Sequence, residues 1–201
     1  MLELKQIKKS FGQKLVLKSV SLTAKPGELI HVSGINGSGK STIFKIITGL
    51  LKADSGEIKL DENDIVGALI ENPNFLEYES AMSNLHFLAN LNKRFNEKEV
   101  RALLQYFMLD PDDPEPIVKY SVGMRQKVGI IQAVMENQNI ILLDEPTRGI
   151  DQESVGLFVA MLKKLKKQNK TIVVASHDQI NELKYDRQFV LQRGILQEKQ
   201  L

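Results

Sequence analysis

Two hydrophobic rhythms divide this chain. Short apolar segments with alternating polar positions occupy residues 2–8, 15–24, 28–34 and 57–60, the last after the turn residues Asp54, Ser55 and Gly56. Their two-residue period predicts strands, with a further strand at 66–71. Ile43, Phe44, Ile46, Ile47 and Leu50 instead repeat at helical spacing. From Ala81 to about Phe107 the period is again helical, carried by Leu85, Leu88, Ala89 and Leu91, then Val100, Leu103, Leu104 and Phe107. The acidic, proline-bearing stretch Asp110 to Pro116 breaks it, so residues 72–119 read as a helical insertion. Beyond it, helix (122–136), strand (140–143), helix (152–168) and strand (171–175) alternate. That alternation predicts an α/β fold: a mostly parallel sheet covered by helices, an antiparallel β lobe near the start and the insertion, all within one domain over 1–201.

Composition narrows the class. The chain has 201 residues, is 42% hydrophobic and 26% charged, and carries a formal charge of +2, which suits one sizeable core and a soluble surface. Acids and bases are interspersed, so no nucleic-acid partner is expected. Lys163, Lys164, Lys166 and Lys167 read as the solvated face of a helix whose buried face is Val155, Phe158, Val159, Met161, Leu162 and Leu165. There are no cysteines, which removes disulfides, thiolate metal sites and thiol catalysis. The opening MLELKQIKKSFG lacks the apolar centre of a secretory signal, and no stretch approaches the roughly eighteen apolar residues of a membrane span.

The chemistry begins at Gly34. GINGSGKS, from Gly34 to Ser41, fits the phosphate-binding loop pattern G-x-x-x-x-G-K-[ST]. Gly34, Gly37 and Gly39 let backbone N–H groups of the loop, including those at Asn36 and Ser38, approach a phosphate chain closely. Lys40 supplies a positive charge, and Ser41 offers a hydroxyl to the Mg²⁺ that accompanies a nucleotide. The loop lies between a predicted strand and a predicted helix whose positive end, with Thr42 in its first turn, faces the phosphates. Ile140 to Leu143 is a continuous apolar run, as in a parallel strand buried on both faces, and it ends in Asp144, Glu145 and Pro146. Ligands of open α/β sheets sit beyond the carboxyl ends of the strands, which brings these acids towards the loop. Asp144 is suited to hold Mg²⁺ directly or through water, and Glu145 to polarise an attacking water.

YSVGMRQKVGI, from Tyr120 to Ile130, precedes IILLDEPTRGID, and SHD follows the strand TIVVAS. With the phosphate loop, this order resembles the ATP-binding subunit of an ABC transporter, and the likeness covers essentially the whole chain. The YSVGM form and the segment ALIENP are most similar to subunits of peptide-antibiotic (bacitracin or lantibiotic) resistance and immunity exporters. The resemblance implies that Phe11 stacks on adenine, where the residue by itself also reads as a core strand position. It implies that Ser121 and Gly123 contact the γ-phosphate of ATP held by a second subunit, while their plain reading is a helix N-cap. Asp151 becomes either a subunit-interface acid or the cap of the following helix, and His177 becomes the histidine that senses the γ-phosphate. His31 and His86 have no such context.

Three positions, in two segments, depart from the family pattern. Val122 and Met124 stand where the signature usually has glycine and glutamine, and Glu71 stands where glutamine usually lies near Mg²⁺. The resemblance implies an ATP hydrolase with ATP and Mg²⁺ as cofactors, paired with a second copy or a related subunit. It also implies a separately encoded transmembrane permease, a place on the cytoplasmic face of the membrane, and export. A soluble ATPase of the same type, clamping nucleic acid or ribosome, is the alternative, but such proteins carry coiled coils or two cassettes. A small-molecule kinase would have no use for the segment at Ser121.

Overall fold

A computed structural model describes residues 1–199. Its strands are β1 (Leu2–Phe11), β2 (Lys14–Ala24), β3 (Leu29–Ser33), β4 (Ser55–Lys59), β5 (Val66–Leu69), β6 (Ile140–Asp144), β7 (Thr171–Ser176), β8 (Arg187–Gln192) and β9 (Ile195–Glu198). Its helices are α1 (Lys40–Ile47), α2 (Ala81–Leu91), α3 (Glu97–Tyr106), α4 (Val122–Gln132) and α5 (Gln152–Lys167), with a 3₁₀ turn at Ile117–Lys119. One sheet runs in the order β4-β1-β2-β9-β8-β3-β7-β6-β5. The β8, β3, β7, β6 and β5 strands are parallel, whereas β4, β1 and β2 form the antiparallel lobe.

Alternation along β6 shows how the sheet is buried. Ile141 and Leu143 join the core cluster formed with the helices of the insertion, α4 and α5, while Ile140 and Leu142 join the cluster around α1 and the antiparallel lobe. On β7, Ile172 and Val174 face the first cluster, and Val173 and Ala175 the second. Both strands are therefore apolar at every core position, because neither face meets water.

The helical period over 81–107 is carried by two helices. α2 stops at Leu91, Lys93 takes a left-handed φ of 55°, and Asn96 caps α3 by accepting from Glu99 N–H. Asparagine tolerates that cap geometry where an apolar residue would leave the N–H unmet. Leu85, Leu104 and Phe107 nevertheless fill one cluster with α4.

The strands β8 and β9 were not predicted from the pattern. Arg193 and Gly194, with φ of 50° and 78°, make the two-residue turn between them. Gly194 O accepts Lys18 N–H at 2.8 Å, and a Cβ there would lie 2.6 Å from Val16 O. This close approach ties the antiparallel lobe to the parallel core through β9, which pairs with β2 at Ser19 and Ile195.

Candidate functional site

The loop from Gly34 to Gly39 connects β3 to α1 at the carboxyl edge of the parallel strands. Gly37 and Gly39 have φ of 75° and 110°, a region that disfavours side chains, and a Cβ on Gly39 would meet Leu17 Cδ2 at 2.8 Å. This tight turn starts α1 at Lys40. The Lys40 side chain folds back over the loop, donating to Gly34 O at 2.7 Å, and is 6% exposed.

The acidic end of β6 meets the loop. Ser41 Oγ donates to Asp144 Oδ2 at 2.5 Å, and Lys40 Nζ lies 3.7 Å from Glu145 Oε1. Burial raises the Asp144 carboxyl above its ordinary range, opposed by the Ser41 hydrogen bond and the Lys40 charge. Glu145 has a left-handed φ of 47°, and its N–H donates to Ala175 O at 2.8 Å. Its Oε1 is buried and lacks a hydrogen-bond partner, as does Ser38 Oγ. Two unpartnered polar atoms, a cation and two carboxylates thus share one cleft of about 500 Å³, which also takes in Asn36, Gly37, Gly39, Thr42, Phe11 and Glu71.

Phe11 belongs to this cleft and not to the core. It is 50% exposed, and Lys9 Nζ lies 5.6 Å from the centre of its ring. The open ring is an apolar platform at the cleft margin, a surface on which a flat heterocycle stacks.

Glu71 lines the cleft in a way its sequence position did not reveal. Its own Oε1 accepts from Lys45 Nζ at 2.7 Å. The side chain is thereby neutralised by α1.

His177, Ser121, Gly123 and Asp151 lie outside this cleft. His177 follows β7, has a 60% exposed side chain and pairs with Asp178 at 3.2 Å through Nδ1. Ser121 caps α4 by accepting Met124 N–H at 3.1 Å, and a Cβ on Gly123 would collide with Gly149 O. Both signature residues are therefore committed to the start of α4 and its contact with the 149–151 segment. Asp151 caps α5 through Ser154 N–H and Oγ, both at 2.8 Å, and pairs with Lys127 at 3.2 Å. The Ser154 N–H and hydroxyl, then Lys127, hold its carboxyl well below the usual range.

Sequence reasoning did not single out Gln126, Arg148, Asn72 and Val16, which also line the cleft. Gln126 Nε2 donates to Glu145 O at 3.0 Å. A glutamine inside an amphipathic helix carries no local signal for such a contact.

A phosphate loop, a lysine, and a hydroxyl–carboxylate pair at the end of a buried strand define the class: a P-loop nucleotide hydrolase with an added helical insertion. Known proteins carry this further. The ABC transporter family model matches residues 17–148. The uncharacterized ABC transporter ATP-binding protein YdbJ of Bacillus subtilis (strain 168) is 32% identical over 205 residues, 96% of this chain and 67% of that protein. The lantibiotic transport ATP-binding protein SrtF of Streptococcus pyogenes is 31% identical over 184 residues, 88% of this chain and 80% of that protein. Among solved structures, dimeric MJ0796, a bacterial ABC transporter cassette, superposes with a TM-score of 0.88 at 29% identity, covering 99% of this chain and 98% of that one. The same cassette in a post-hydrolysis dimer bound to ADP and Pi gives 0.89 at 28% identity over the same shares of each chain. This chain belongs to the ABC transporter family, as an ATP-binding subunit that hydrolyses ATP to energise transport. Among the described residues, no helix is long and apolar enough to cross a membrane.

Proposed function

We propose that the 201 residues act as one ATPase domain, two copies or related subunits of which enclose MgATP and drive a separate permease from the cytoplasmic face of the membrane. The convergence of Lys40, Ser41, Asp144 and Glu145 in one cleft carries this reading. Loop amides and Lys40 bind the β- and γ-phosphates, and the Phe11 ring stacks on adenine. Ser41 and Asp144 are hard oxygen donors at contact distance, which fits Mg²⁺, an ion bound through one or two protein oxygens plus substrate phosphates. Bound there, the ion would neutralise phosphate charge. Glu145 orients a water and takes its proton as the water oxygen bonds to the γ-phosphorus and the bond to the ADP oxygen breaks. Ser121 and Gly123 of the second copy, with His177, complete the γ-phosphate shell in the pair. The permease is proposed to be an exporter of the peptide-antibiotic type; the likeness to SrtF supports this.

Mixing two inactive variants tests the shared site. Lys40→Ala removes the loop cation and Ser121→Arg blocks the signature, so a mixed pair contains one site with both lesions and one with neither. Recovery of part of the ATPase activity, or MgATP-dependent association of the two labelled chains, supports the shared site. Folded variants that show neither refute it.

A further inference from the structure

The catalytic carboxylate is held from outside its own strand. Glu145 sits one residue past β6 with a left-handed φ of 47°, a conformation that must be imposed on a residue with a side chain. Its N–H is fixed by Ala175 O at 2.8 Å on β7. Its carbonyl accepts two donors, Arg148 N–H at 3.1 Å from the following turn and Gln126 Nε2 at 3.0 Å from α4. Gln126 is 5% exposed, so its amide is shielded from competing water.

Two further contacts follow the same helix. The Gly123 position abuts Gly149, and Lys127, buried beside Gln126, pairs with Asp151 at 3.2 Å. α4 therefore runs alongside the 145–151 segment and meets it at its beginning, middle and end. Only the Gln126 contact reaches the residue that handles the water.

We propose that Gln126 is a positioning residue for hydrolysis: its amide fixes the Glu145 peptide and so aims the carboxylate whose Oε1 is buried without a hydrogen bond, 3.7 Å from Lys40 Nζ. The inference rests on Glu145 being the base. It makes α4 do two things: its N-terminus carries Ser121 and Gly123, and its next turn sets the carboxylate of the site in its own chain. The Glu145 carbonyl keeps Arg148 N–H when the amide is lost, so no buried acceptor is orphaned. The cost then falls on orientation and not on stability.

Gln126→Met keeps an unbranched side chain without the donor, and Gln126→Glu keeps the size while replacing the amide by a carboxylate. Steady-state ATPase assays with both should give kcat lowered about tenfold, with KM for ATP within about twofold; the melting temperature should be unchanged in Gln126→Met and lowered in Gln126→Glu, which buries a charge against a carbonyl. The ratio of Gln126→Glu to wild-type kcat should rise as pH falls towards the carboxyl pKa, because the protonated acid regains an O–H donor for the Glu145 carbonyl. Unchanged kcat in both variants overturns the proposal. So does a parallel loss of kcat, affinity and melting temperature in Gln126→Met, or failure of both to fold, either of which makes Gln126 merely structural. Glu145→Gln is assayed alongside: wild-type turnover in that protein would remove the base itself, whereas its inactivity with normal Gln126 variants would leave the base and remove only Gln126.

Discussion

The hydroxyl of Ser41 donates to Asp144 across 103 positions of sequence, at 2.5 Å. One residue lies in the first turn of α1 and the other closes β6, so the contact joins two βα units through their ends. It also gathers two oxygen donors beside Lys40 at the positive end of a helix, where anions and their counter-cations collect.

Asp144→Asn keeps the hydrogen-bonding shape and removes the charge. Turnover at limiting Mg²⁺ should fall by at least about tenfold and be partly restored at high Mg²⁺, because a hard cation loses its one anionic protein donor. Activity measured against Mg²⁺ concentration checks this, and superimposed curves would place the ion elsewhere.

Phe11→Ala should weaken adenine-nucleotide binding by about 1–2 kcal/mol, roughly 5- to 30-fold in Kd, the scale of one lost stacking contact. The ring is half exposed, so the melting temperature should hold. Calorimetric titration with ATP measures the first effect and a thermal scan the second.

The Lys45–Glu71 pair makes a prediction by double mutation. Glu71→Gln alone should move the half-maximal Mg²⁺ concentration by no more than about threefold, since Lys45 already offsets the charge in a half-exposed pair. Lys45→Ala frees the carboxylate beside Asp144 and should lower that concentration. Adding Glu71→Gln to Lys45→Ala should reverse the shift.

His31 gives the fold an acid-sensitive point. It is buried on β3, its Nε2 lies 2.8 Å from Ser176 Oγ, and burial, then the charges of Lys199 and Lys40, lowers its pKa from 6.5 to about 4. The unfolded chain binds the proton more readily, so this contribution to stability is complete above pH 6.5 and is lost as pH falls towards 4. The loss amounts to about 3 kcal/mol at most. Urea unfolding between these pH values should show the slope in wild type and a shallower one in His31→Asn.

The site was legible where its signals were local. Gly34 to Ser41 spells its turn in glycines, and Ile140 to Leu143 announces burial on both faces just before Asp144 and Glu145. What escaped depended on distant pairing. The short β8 and β9 strands carry mixed polar residues, and β8 is defined by β3, more than a hundred residues earlier. The break at Asn92 to Asn96 was hidden because both flanking helices share one apolar period and pack into one cluster. Gln126 went unnoticed because only the fold brings a carbonyl to its amide. Glu71 was read for its charge, but the partner that neutralises it, Lys45, lies on α1, distant in sequence.

Glu145 is the residue on which the account turns, and its substitution by Gln is the most direct measurement. The amide keeps the size and removes the group that accepts the proton of the attacking water. The prediction is that Glu145→Gln binds MgATP with near wild-type affinity, hydrolyses it at least about a hundredfold more slowly, and elutes as a dimer in MgATP on size exclusion. Hydrolysis at the wild-type rate by the folded variant would contradict the account.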